Sequence, residues 1–200
     1  MRKRSSRVTL AVAALALANS AGAANYPSKA YEATIENVSS GSSSHTWSDG
    51  KGKMRSETML AGVKRVSILD FNAKMMYSID DQQKSITKMP LSEPVDQDPQ
   101  TQWQEIGSKV VEGHPCTGKR GKSKDGSLTE VWTGTDTGCS VLVSSNGKTI
   151  MKLKSWSAIQ PNPSLFSLPA GYKTIDMGEM MKKMQAGNFD PQAMQKLYQK

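Results

Sequence analysis

Cys116 and Cys139 are the only cysteines in the 200 residues. Two thiols can pair or, when one is activated, attack an electrophile. His114-Pro115-Cys116 puts an imidazole and a thiol two residues apart, on one face of a strand, where a thiol nucleophile is conceivable. A disulfide removes that thiol from chemistry, and this is the expected fate of Cys116. His45 lies far from His114, and both read as surface or turn residues. Four methionines, Met177, Met180, Met181 and Met184, recur at i, i+3, i+4 and i+7. That is one face of a helix, and packing on the rest of the fold is its ordinary use. The alternative is a metal site, because thioethers suit Cu(I), although no His or Cys adjoins the four. Arg55 stands in the polar run Gly52-Lys53-Met54-Arg55-Ser56-Glu57 and reads as a sheet-face charge paired with Glu57 on the same face. No Gly-x-Ser-x-Gly elbow or Gly-rich phosphate loop occurs. No residue is therefore assigned to catalysis, no cofactor is expected, and an enzyme is not predicted.

The disulfide has a geometric condition. If Asp125-Gly126 forms a two-residue turn, Lys124 faces Ser127 and Cys116 falls opposite Thr135. Gly134 to Gly138 then reads as the next turn, with Cys139 at the same end of a three-stranded meander. Strands one apart in order are too distant to bridge in mid-sheet, but can meet where the middle strand has turned.

Those residues need elements to hold them, and the first segment is not one. Arg2, Lys3, Arg4 and Arg7 precede an apolar run over residues 8–18, and Ala21-Gly22-Ala23 follows. This is the pattern of a secretory signal peptide cleaved near Ala23. Eleven residues fall short of the roughly 20 that a spanning helix needs. Mean hydropathy of −0.52 also argues against an integral membrane protein. Without residues 1–23 the 26 basic residues become 22 against 18 acidic ones, and the net charge falls from +8 to +4. The remaining lysines are scattered, so no nucleic-acid partner is expected.

From Tyr31 onward, short alternating runs separated by turn residues predict antiparallel strands. Tyr31, Ala33 and Ile35 alternate with Glu32, Thr34 and Glu36. A Ser/Gly break over 39–44 follows, then strands at His45 to Asp49, Lys53 to Leu60, Val63 to Asp70, Lys74 to Ile79 and Ser85 to Met89. A proline-bearing connection over 90–102 leads to Trp103 and a second β region, in which Asp125-Gly126 and Asn146-Gly147 signal hairpins. The last β-like piece is Ser164 to Tyr172. Asp176 then caps a helix ending near Gly187, and Asp190-Pro191 opens another. Three units result: a signal peptide over 1–23, an antiparallel β domain over 24–175 and a Met-rich helical tail over 176–200.

The order of these pieces resembles the LolA-like superfamily of exported lipoprotein carriers. The matching features are Lys53-x-Arg55-x-Glu57, Ile68-Leu69-Asp70, Met76-Tyr77-Ser78-Ile79, Trp103 to Gly107, Gly113-His114-Pro115-Cys116, Glu130-Val131-Trp132 and the ending Leu165 to Tyr172. The resemblance implies a mainly β (α+β) fold: a curved antiparallel half-barrel sheet whose apolar concave face is covered by helices and accepts acyl chains. It also implies a ligand-binding role for Arg55, near the covering elements. The expected function is a non-enzymatic, monomeric envelope protein, periplasmic or secreted, that binds a lipid, a lipoprotein or another apolar ligand. Peripheral contact with the membrane or with envelope proteins fits the same reading. The alternatives are a copper-binding protein using the Met stripe and an interaction module without a small ligand.

Overall fold

The computed structural model describes residues 27–91, 101–123 and 126–185, apart from the side chains of residues 183–185. The described residues form twelve strands: β1 (Ala30–Asn37), β2 (Ser42–Asp49), β3 (Lys53–Leu60), β4 (Val63–Asp70), β5 (Met75–Asp80), β6 (Ser85–Pro90), β7 (Gln102–Val111), β8 (His114–Lys122), β9 (Leu128–Gly134), β10 (Ser140–Ser145), β11 (Lys148–Ala158) and β12 (Lys173–Asp176). A 3-10 turn, Pro163–Phe166, precedes β12, and one helix, α1 (Met177–Gln185), follows it.

All twelve strands belong to one open, curved sheet, in the order β12-β6-β5-β4-β3-β2-β1-β11-β10-β9-β8-β7. Two meanders, β1 to β6 and β7 to β11, are therefore sewn together along β1 and β11, where Tyr31 faces Ala158 and Asn37 faces Met151. Turn chemistry fixes the registers. Ala61-Gly62 and Asn146-Gly147 take positive φ at both positions (50° and 78°, 48° and 77°), as type I′ hairpins require. Pairing shifts fall between Thr34 and Ile35, Glu105 and Gly107, Ser140 and Leu142, and Val143 and Ser144. All four lie along the seam or in the second meander, and such bulges concentrate twist there. The registers from β2 to β6 run without a shift.

The main core lies on one face. Tyr31, Ala33 and Ile35 from β1 pack with Met54, Val111, Cys116, Trp132, Cys139, Val141 and Leu153, all buried. Gly118 lets Trp132 lie flat across β8, since a Cβ there would sit 2.6 Å from the indole. On β4, Leu69 joins this core while its neighbour Ile68 belongs to a second cluster with Val66, Ile79 and Ile86. Successive strand residues point to opposite faces, so the second cluster lies on the other side of the sheet.

Several expectations are corrected. The helices covering the sheet do not appear: among the described residues the chain has the 3-10 turn and nine-residue α1 alone. Asp176 does cap α1, its Oδ1 accepting the Glu179 N–H at 3.0 Å. The helix expected after Asp190 lies outside the described residues. Ser164 to Tyr172 is not a strand. Pro169 removes a donor a ladder needs, Pro163 opens a 3-10 turn that takes in Ser164 to Phe166, and the Asn162 side chain caps that turn through the Ser164 N–H. The last strand instead is β12, parallel to β6. Ser42 to Ser44 belong to β2 rather than to the break, because β1 supplies their pairing partners.

The disulfide expectation is corrected too. Lys122 faces Leu128 and Cys116 faces Gly134, one position away from the register that a two-residue turn at Asp125-Gly126 requires. Cys116 and Cys139 are both buried free thiols. The Cys116 thiol is turned along its own strand, donating to the His114 carbonyl at 3.4 Å. In the apolar core each thiol serves as a small packing group.

Candidate functional site

The second apolar cluster lies on the face where Arg55, Ile68 and Tyr77 stand in one row across β3, β4 and β5. Alternation made this strip: Val66 and Ile68 are two apart on β4, and Ile79 and Ile86 face each other on β5 and β6. No sheet or long helix among the described residues covers it. Its cover is the connection from β11 to β12, residues 159–172, which carries one turn of 3-10 helix. Phe166 from that turn is buried, and Tyr172 packs on the strip at its other end.

Polar contacts from Arg55, Asp81 and Lys84 hold this flap. Arg55 Nη1 donates to the Leu165 carbonyl at 3.0 Å, and the rest of its guanidinium donates to Glu57, from Nε at 2.9 Å. Tyr172 donates its hydroxyl to Asp81 at 2.9 Å. Lys84 Nζ sits 5.1 Å from the Tyr172 ring centroid. Partial burial pushes the Glu57 carboxyl up, but the hydrogen bonds and charge of Arg55, with Lys64 at 3.3 Å, outweigh it and hold the group below its usual value. Arg55 is thus a charged latch tying strand β3 to the flap backbone.

Between strip and flap lies an open cleft of about 320 Å³, lined by Lys53, Ile68, Asp70, Tyr77, Phe166, Ser167 and Leu168. Lys53 and Asp70 form an ion pair at 3.7 Å beside it. The cleft matches the small end of known ligand pockets, so room for a long chain requires movement of the flap.

A second cleft of about 320 Å³, lined by Ser108, Lys109, Val110, Pro115, Cys116 and Thr135, lies beside edge strand β7. It brings together residues with nucleophilic potential. His114 Nδ1 lies 2.7 Å from Asp136, a pairing that sequence reasoning missed because Asp136 sits in the next hairpin turn. Burial, joined by the charge of Asp136, pushes the Cys116 thiol up. Burial also carries Cys139 up to about 11. Both thiols are therefore protonated at neutral pH and poor nucleophiles.

Of the other residues singled out, His45 stacks on Trp47 with centroids 4.1 Å apart. Met177 and Met180 are half-buried on α1, which packs beside β6, whereas Met181 is 54% exposed. The Met184 side chain lies outside the described residues. Among the described residues no three His, Cys, Asp or Glu side chains gather as metal ligands. The residues missed as a group are Leu165, Phe166, Leu168 and Tyr172. Their signal is four apolar side chains in a proline-broken stretch, which in sequence resembles a last strand.

A family model described as "Domain of unknown function (DUF4412)" matches residues 32–140, more than half of the chain. No curated protein matches. Among solved structures, an uncharacterized conserved protein from Thermus thermophilus is 12% identical, with a TM-score of 0.56, over 74% of this chain and 91% of that one. At that identity the likeness concerns the fold alone. The MucA/MucB complex of Pseudomonas aeruginosa gives 17% identity and a TM-score of 0.46 over 73% of this chain and 58% of that chain. PNGF-II gives 14% and 0.49 over 74% and 31%.

Proposed function

The chain belongs to the DUF4412 family, and from that premise we propose that it is a non-enzymatic binding protein of the cell envelope whose flap opens to admit an apolar or amphiphilic ligand. The ligand class is a lipid or the acyl portion of a lipoprotein. One observation carries this reading: the strip of Val66, Ile68, Ile79 and Ile86 is covered by an irregular flap pinned through the Arg55 bond to Leu165. A strip meant only for stability is better buried by a helix or a second sheet. A cover with few regular hydrogen bonds separates at lower cost, so the apolar surface becomes available without unfolding a strand. The basic, apolar N-terminal segment supports export and cleavage near Ala23.

Native mass spectrometry of the protein purified from the cell envelope tests the reading. The expected result is a co-purifying lipid mass, lost when a bulky polar side chain replaces Ile68. A ligand-free chain that also fails to bind an apolar fluorescent probe overturns it. A second reading, docking of a protein segment, rests on β7, a ten-residue strand at the edge of the sheet. Open backbone groups on such an edge accept an added strand. A co-purifying peptide in place of a lipid supports that alternative.

A further inference from the structure

The two ends of the sheet differ. At one end lie the β1–β2, β3–β4, β5–β6, β8–β9 and β10–β11 turns and the start of β12. Four of the large apolar side chains most open to solvent gather at this rim: Val38 (41%), Met59 (56%), Leu60 (53%) and Leu128 (39%). Neighbouring strands lie ~4.8 Å apart, so along the sheet the Val38 tip is about 10 Å from the Leu60 tip and about 19 Å from the Leu128 tip. Between and beside them stand exposed lysines: Lys64, Lys84, Lys122, Lys148 and Lys173.

Among the described residues, the acids near this rim are mostly engaged on the strands behind the tips. Asp80 pairs with Arg65, Glu130 with Arg120, and Glu36 with Lys152 and Lys154. Glu57 is shared by Arg55 and Lys64. Asp81, at a tip, accepts the Tyr172 hydroxyl. In or beside its turns the opposite rim carries Asp49, Glu112 and Asp136 together with the exposed Lys29, Lys51 and Lys74, and a single exposed large apolar side chain among the described residues, Val110.

The β3–β4 tip reads Met59-Leu60-Ala61-Gly62-Val63, with Ala61 held at φ 50°. That left-handed position favours Asn or Gly and strains alanine. At the equivalent place in the β10–β11 hairpin the chain uses Asn146, at φ 48°. The strained choice keeps the β3–β4 tip apolar throughout.

We propose that this rim docks the protein on a lipid bilayer bearing anionic headgroups, with the Val38, Met59–Leu60 and Leu128 tips entering the interface and the lysines lying among the headgroups. Apolar tips interleaved with cations fit such a surface: the side chains lose water in the acyl boundary while the ammonium groups meet phosphates. A protein partner would need shaped pockets for the tips, whereas a bilayer accepts them at any spacing. The docking is peripheral, because the β1–β2 and β3–β4 tips are short, residues 38–41 and 61–62 beyond their last strand pairs. The flap cleft, lined by Lys53 and Asp70, lies at the other ends of β3 and β4, whereas the Tyr172 end of the flap meets Asp81 and Lys84 at this rim.

Vesicle sedimentation tests this with protein purified from the envelope, every variant carrying the same N-terminal segment. Vesicles are pure phosphatidylcholine or contain about a third phosphatidylglycerol. Wild type is expected to partition at least tenfold more strongly to the anionic vesicles, and to lose that preference in high salt. Leu60→Ser/Ala61→Asn should lower the partition about tenfold, and Lys148→Gln about fivefold. Lys74→Gln on the opposite rim should leave it within about twofold, since headgroup attraction fades over a Debye length. The Asn substitution suits the turn, so loss of binding in a variant that melts like wild type is not an unfolding artefact. Equal partition to neutral and anionic vesicles, or rim variants that bind as wild type does, overturns the proposal.

Discussion

Replacing Arg55 with glutamine removes the latch and leaves the strands. The guanidinium makes one charge-assisted bond to the flap, to Leu165 O at 3.0 Å. Bonds of this kind contribute about 1.5–3 kcal/mol. The Arg55 side chain is 15% exposed, so solvent competes modestly and about 2 kcal/mol is the working figure. Glu57 keeps Lys64 as a partner, which limits the additional cost of leaving its carboxylate behind. Two kcal/mol corresponds to about a thirtyfold larger opening constant for the flap. Hydrogen exchange followed by mass spectrometry reads this directly. Backbone amides of Leu165 to Leu168 should exchange about thirtyfold faster in Arg55→Gln. Amides of the Asn146-Gly147 hairpin, which open by local fraying on the other meander, should not change. If ligand entry requires the open flap, affinity for an apolar probe should rise by up to the same factor. Flap amides that speed up less than about threefold would refute the latch, and faster flap exchange with no gain in probe binding would refute ligand entry through the open flap.

Further outcomes follow from the same geometry. Because Glu57 is held below its usual value in the folded chain, its contribution is complete above the unfolded carboxyl value of about 4.3. It is lost as the pH falls through the folded value, so stability should drop in that acid window, and Glu57→Gln should flatten the slope in urea titrations between about pH 3 and 5. Native protein should react slowly with a thiol reagent at about pH 8, where the buried thiols remain protonated. Unfolded without reductant it should titrate two thiols, one each from Cys116 and Cys139; zero thiols would mean a bridge. Ala61→Asn alone should raise stability by about 1 kcal/mol in denaturant titrations by relieving the left-handed strain. A loss of stability would contradict the turn geometry.

The strands were legible where a side-chain period of two met turn residues. Lys53–Leu60 and Val63–Asp70 were located to the residue because Ala61-Gly62 leaves little freedom in the return. Others were legible except at their ends: Ser42–Ser44 lack apolar character and become strand through pairing with Asn37, Glu36 and Ile35. The seam of β1 with β11 had no local signal, since alternation states which face a residue takes but not which strand lies beside it. The disulfide expectation failed for a related reason. The return between β8 and β9 runs over residues 123–127, closed by Ser123 N–H to Ser127 O, and a one-residue error in a turn moves every partner beyond it. Arg55 was legible as a paired charge with Glu57, and that pair is present. Its bond to Leu165, 110 residues away, was not, because Leu165 is reached through its carbonyl and not its side chain. Nor was the strip visible as a unit, although Val66, Ile68, Ile79 and Ile86 each fall on expected strands, because its cover carries the apolar pattern of one more strand.

The seam also bears on how the sheet comes together in time. Each meander grows by hairpins whose strands are neighbours in sequence, so its pairings form over short loops. Joining Tyr31 to Ala158 closes a loop that contains almost every other strand, at an entropic cost no local contact offsets beforehand. Until then β1 has only β2 beside it, and the buried side chains Tyr31, Ala33 and Ile35 have only half of their core. Two partly ordered halves with an open edge on β1 and on β11 thus describe the chain just before its slowest step, when strand exchange between copies is easiest. A charge on the inward face of β1, such as Ala33→Lys, should therefore impair assembly of the whole sheet while leaving the hairpins of the two meanders able to form.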